Sequence, residues 1–97
     1  MNIAVRKFGE ILISRPAGRE AALIMKSSFS PAEGEWVELD FAGVKVVAPS
    51  WLDEVLTALR GAFGDRVRCL PTANASVIES LAAIERAAAE RSGDDGL

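Results

Sequence analysis

The stretch ELDFAGVKVVAPSWLDEVLTAL, Glu38 to Leu59, decides how this chain is read. Val37, Leu39 and Phe41 fall on one side of an extended segment, with Trp36, Glu38 and Asp40 on the other. After a bend at Gly43, Val44 to Ala48 add a second apolar run. Near-continuous apolar content of this kind predicts a central strand covered on both faces. Pro49 has no N–H to give to a ladder, so the strand ends there and the next element is expected to begin at Ser50. From that point Leu52, Val55, Leu56, Leu59 and Phe63 recur at the spacing of one helical face, and Gly64 supplies the stop. Asp40, at the strand end before the bend, reads as a residue that caps the turn through its own side chain, with a binding role as the alternative.

Upstream, Asn2 to Phe8 and Ile11 to Ile13 carry strand formers around a Gly9-Glu10 turn, which predicts two short strands open to pairing as a hairpin. Ser14-Arg15-Pro16 breaks that pattern, and Ala17 to Phe29 reads as an Ala-rich helix. Ser30 to Glu35 is a loop. Downstream, Arg66 to Leu70 predicts a further central strand ended by Pro71, and a last helix runs from about Ser76 to Arg91. Ser76-Val77-Ile78-Glu79 has the form of a capping box, and Val77, Leu81, Ile84 and Ala88 make the apolar stripe. Residues 92–97 read as a frayed tail, which leaves a single domain over 1–91. The element order is that of an α/β fold, about four mostly parallel strands with helices packed on them and right-handed crossovers. Whether the helices lie on one face of the sheet or on both stays open at this level.

Of the 97 residues, 49% are hydrophobic and 26% charged, a balance that suits one globular core. The net charge of -3 argues against attraction to nucleic acid or to an anionic membrane surface. The sequence holds no His and one Cys, so a His/Cys metal site has no ligands and neither a metal nor a cofactor is expected. Cys69 reads as a buried strand thiol rather than a nucleophile, because no imidazole is there to serve as its base. The N-terminal run has charge inside its apolar part and lacks both a membrane-length segment and a cleavage site, which makes a cytoplasmic location the expectation. Phosphate-binding glycine loops and nucleophile elbows are absent.

The quoted stretch resembles the STAS domain, whose central strand and following helix read roughly Leu-Asp-Leu-x-Gly-Val-x-x-Ile-Asp-Ser-Ser-Gly-Leu. Leu39, Asp40, Phe41, Gly43, Val44, Val47, Ser50 and Leu52 fit that frame. It is closer still to bacterial STAS-like domains of unknown function, through Asp-Phe-x-Gly-Val and the pair Asp53-Glu54 early in the helix, with Ser14-Arg15 before an Ala-rich helix. The resemblance spans Ile3 to Ala87, and its specific part is Leu39 to Leu59. It implies a non-catalytic regulator that binds a protein partner, a histidine-kinase-like ATPase or a sigma-factor regulator, through the helix after the central strand. In anti-sigma-factor antagonists a serine at that helix start is phosphorylated to switch the partner off. Here the phosphoacceptor position holds Pro49, the preceding Asp is Ala48 and the following Gly is Trp51; a hydroxyl remains only at Ser50.

Each residue of that set has two readings. Ser50 is a helix cap with Asp53 three positions on, or a phosphoacceptor at an anion-tolerant helix end. Asp53 and Glu54 diverge by about 100° on a helix and cannot share a proton; they favour the positive helix end or present charge to a partner. Trp51 packs over the sheet or stands exposed as a contact anchor. Arg15 and Arg19 are a solvated face or a small basic site. The expected partner-binding set is therefore Ser50, Trp51, Asp53 and Glu54. A small-ligand or nucleotide site at the start of the same helix is the alternative, and it requires a concavity beside Ser50. Oligomeric state is not readable from these features.

Overall fold

The structure is a computed structural model that describes the backbone of residues 1–95 and the side chains of residues 1–91. Five short strands and three helices follow in the order β1 (Asn2–Ala4), β2 (Ile11–Leu12), α1 (Arg15–Ser28), β3 (Val37–Asp40), β4 (Val46–Val47), α2 (Pro49–Phe63), β5 (Val67–Cys69) and α3 (Ala75–Asp95), with a 3-10 turn at Val5–Phe8. The tail expected over 92–97 thus lies partly in α3, and its last two residues lie outside the described residues.

All strand pairs are parallel, as the alternating order requires, but they form two small sheets rather than one of four strands. One has the order β1-β3-β5, the other is β2-β4. The expected hairpin does not form. β1 and β2 do not pair with each other; each pairs with the segment that follows α1, β1 with β3 and β2 with β4. The two sheets are therefore two halves of one pairing, interrupted on one side by the 3-10 turn and on the other by the turn at 41–45. Across the interruption the partner offset slips from 36, as in Asn2 with Glu38, to 35, as in Ile11 with Val46. One extra residue on the N-terminal side, absorbed in the tight 3-10 turn, accounts for the slip. Gly43 adopts φ +82° in the facing turn, and a Cβ there would lie on the Arg6 side chain.

Burial alternates along the strands. Ile3, Val37, Leu39 and Val67 are buried with the helices, whereas Asn2, Ala4 and Arg68 face water and Glu38 and Asp40 are half-covered. The helices thus cover one face of the three-stranded sheet, and the expectation of a strand buried on both faces is corrected: the polar members of the alternation were the better signal. On the open face Arg68 pairs with Glu38 (2.9 and 3.0 Å) and lies 4.4 Å from the Trp36 ring centre. α2 lies between α1 and α3 and carries Trp51, Leu52, Val55, Leu56 and Leu59 into the core.

Candidate functional site

The site is the junction of β4 and α2. Ala48, not Ser50, precedes the helix, and its carbonyl accepts the first helical bond from Leu52 N–H (3.2 Å). Pro49 occupies the first helical position, where a missing N–H costs nothing and a fixed φ is already helical, so the expected start at Ser50 moves one residue back. No side chain caps α2. The Ser50 hydroxyl instead donates to the Ile13 carbonyl at 3.1 Å, fastening the end of the β2 segment to the helix start. The Ser50–Asp53 capping pair expected from the sequence is not formed.

Trp51 is 1% exposed and belongs to the core. It is struck from the contact set, because a ring without solvent exposure cannot anchor a partner. Its backbone explains a residue that the sequence reading passed over: a Cβ on Gly18 would lie 2.7 Å from the Trp51 carbonyl oxygen and 3.0 Å from its Cα. α1 and α2 touch backbone to backbone there. A glycine inside an otherwise Ala-rich helix was the available signal.

That close approach brings opposite charges together. Arg15 Nη1 reaches Asp53 Oδ2 at 3.2 Å and Glu54 Oε1 at 3.0 Å, and Arg19 Nε reaches Glu54 Oε1 at 3.4 Å. Arg15 and Arg19 are four residues apart and share a helix face with Gly18 between them. Hydrogen bonds to Glu54 and then to Asp53 raise the Arg15 pKa above its ordinary value. The adjacent carboxylates, divergent on their own helix, converge on one guanidinium. The two arginines are therefore neither a free basic site nor an unengaged solvated face; they neutralise the carboxylates expected to meet a partner.

Beside this cluster lies a cleft of about 200 Å³ between α2 and α3, lined by Arg15, Pro49, Ser50, Asp53, Ile84 and Arg91 among others. The concavity required by a ligand reading is thus present, but it falls below the range of about 300–1,000 Å³ usual for cofactor-sized molecules. A larger hollow of about 740 Å³, lined by Glu33, Glu35, Trp36, Asp65 and Arg66 among others, opens at the amino ends of β3 and β5. Ligands of open α/β sheets gather at the carboxyl ends of strands, so the smaller cleft is the better placed.

α3 secures the other side of the junction through its first turn. Asn74 caps the helix, its Oδ1 accepting from the Ser76 and Val77 N–H groups (2.9 and 3.4 Å), while its Nδ2 donates to the Val44 carbonyl at 2.9 Å. The cap is thus two residues before the expected Ser76. Ser76 Oγ accepts from Val47 N–H at 3.0 Å, and buried Ser80 Oγ donates to the Val47 carbonyl at 2.9 Å. Side chains of a helix here take the place of a neighbouring strand.

Asp40 caps its turn as expected, accepting from Ala42 N–H at 3.0 Å. Cys69 is half-buried, and that burial raises its thiol pKa to about 11. Among the described residues no group of three or more His, Cys, Asp or Glu is placed to hold a metal ion, and no helix is long and apolar enough to cross a membrane.

No curated protein and no solved structure matches the chain. A family model described as a STAS-like domain of unknown function matches residues 24–72, just over half of its length, from within α1 through β3, β4 and α2 to just beyond β5. The match takes in the whole β4–α2 junction, and the chain belongs to the family of STAS-like domains of unknown function.

Proposed function

We propose that this chain is a non-catalytic regulatory module that docks a protein partner at the start of α2, through Ser50, Asp53 and Glu54 with Arg15 beside them. The observation that supports this reading is the Arg15–Asp53–Glu54 cluster, half-exposed next to a shallow cleft. Exposed ion pairs contribute little to stability, so a partner's cation can replace Arg15 at the carboxylates with little loss to the fold. Asp53 and Glu54 both serve Arg15, and a thiol with a pKa near 11 is a poor nucleophile at neutral pH. The partner class, a histidine-kinase-like ATPase or sigma-factor regulator in a partner-switching pathway, follows from the resemblance to anti-sigma-factor antagonists.

Affinity capture with the wild-type chain and with the paired substitution Asp53→Asn/Glu54→Gln tests the reading. The wild type is expected to retain a protein of that class and the variant at least tenfold less of it. Equal retention by both, or none by the wild type, overturns the proposal.

The cleft favours a second reading, a small anion held at the uncapped start of α2. Its size fits inorganic phosphate better than a nucleotide, so a rise in melting temperature with phosphate is the expected sign, and no rise sinks it. Phosphorylation of Ser50 is a further reading within the first. It would remove the hydroxyl's donation to Ile13 and set a dianion beside Asp53, with Arg15 and Arg91 as the available counter-charges. Intact mass after incubation with the captured kinase decides it.

A further inference from the structure

Residues 2–12 form an open edge of the molecule. Among the described residues β1 pairs only with β3 and β2 only with β4, so one side of each has no neighbouring strand. α1 runs alongside, and a trough lies between this edge and the helix. One hollow of about 350 Å³, lined in part by Lys7, Phe8, Ile11, Glu20 and Ile24, continues into another of about 230 Å³ that shares Lys7, Phe8 and Ile24 and reaches Phe29. Ile11 is 63% exposed and Ile24 47%; Val46, the register partner of Ile11, is 43% exposed and extends the same apolar surface. Adjoining exposed aliphatic side chains in a concave surface differ from the scattered apolar exposure of an ordinary exterior.

We propose that this trough is where two copies of the chain meet about a twofold axis. Its walls carry opposite charges, Lys7 on the strand side and Glu20 on α1, and among the described residues neither takes part in an ion pair. A twofold axis running along the trough sets each wall against the opposite wall of the other copy, so Lys7 meets Glu20 and Glu20 meets Lys7. A foreign partner would require no such self-matching. Ser50, Asp53 and Glu54 lie outside the trough, so the proposal is independent of the partner reading.

Sedimentation equilibrium from about 5 to 500 µM tests it, a span that covers ordinary weak self-association. The full chain is expected to approach twice its 10.3 kDa mass with rising concentration. Ile11→Asp, at an exposed position that leaves the helical circular dichroism intact, is expected to hold the monomer mass throughout. Lys7→Glu is expected to weaken association at least tenfold, and Lys7→Glu/Glu20→Lys to restore it. A wild-type chain that stays monomeric leaves the trough to a foreign protein or to water and overturns the proposal. So does a dimer that Ile11→Asp does not dissolve, or a charge swap that fails to restore association.

Discussion

β3 and β4 belong to one continuous stretch of chain, yet their outer sides are completed by different means. Beside β3 stands β5, a strand offering backbone groups in register. Beside β4 stands the first turn of α3, offering the amide of Asn74 and the hydroxyls of Ser76 and Ser80. The reason is local. Pro71 can neither extend β5 nor donate to a ladder, so backbone support ends where β4 needs it, and the chain returns as a helix with polar side chains facing the exposed strand. A backbone ladder tolerates almost any residue, whereas a side-chain ladder makes particular residues necessary. β4 leads directly into Pro49, so this residue-dependent support is also what positions the start of α2.

Removing the side-chain ladder should therefore cost more than equivalent surgery at the other end. Ser76→Ala/Ser80→Ala leaves Val47 without both of its α3 partners and is expected to destabilise the chain by about 2–4 kcal/mol. Hydrogen exchange should quicken at Val47 while the amides of β3 stay protected; equal acceleration in both strands would show that the two ends do not differ. Gly18→Ala, which forces a methyl group onto the Trp51 carbonyl, is expected to cost about 1–3 kcal/mol by chemical denaturation, despite the better helix propensity of alanine.

Cys69 probes the backbone-supported end. Its raised pKa means that the unfolded thiol ionises first as pH rises above 9, so stability is intact below pH 9 and falls between pH 9 and about 11. The loss should be no more than about 2 kcal/mol after allowance for partial exposure, and Cys69→Ala should abolish it. Alkylation at pH 8 should run at least about tenfold slower than for a free cysteine. The smallest effect is expected on the open sheet face, where Glu38→Ala removes an exposed ion pair with Arg68 and should cost under about 1 kcal/mol in a melting experiment.

Much of this was legible in the residues. The apolar spacing of Leu52, Val55, Leu56 and Leu59 found α2, and Pro49 located the end of β4 to within a residue, because periodicity and a missing N–H act locally. Parallel pairing followed from the alternating element order. The division into two sheets did not, since it depends on the one-residue slip between segments more than thirty positions apart. Side-chain partners were harder still. Ser50 and Ser76 were each read as a cap for the nearest helix, the local use of a serine, but the first bonds to Ile13 and the second to Val47 across the fold. Trp51 likewise had two local readings, and only the backbone contact at Gly18 shows why α1 covers it.

The functional account stands or falls on where a bound partner touches the chain. Amide chemical-shift mapping of the labelled chain, titrated with the captured partner, tests this most directly. The largest changes are expected at Ser50, Asp53, Glu54 and Arg15, with the indole signal of buried Trp51 little altered. Changes confined to the open sheet face around Trp36 and Arg68, with the start of α2 silent, would contradict it.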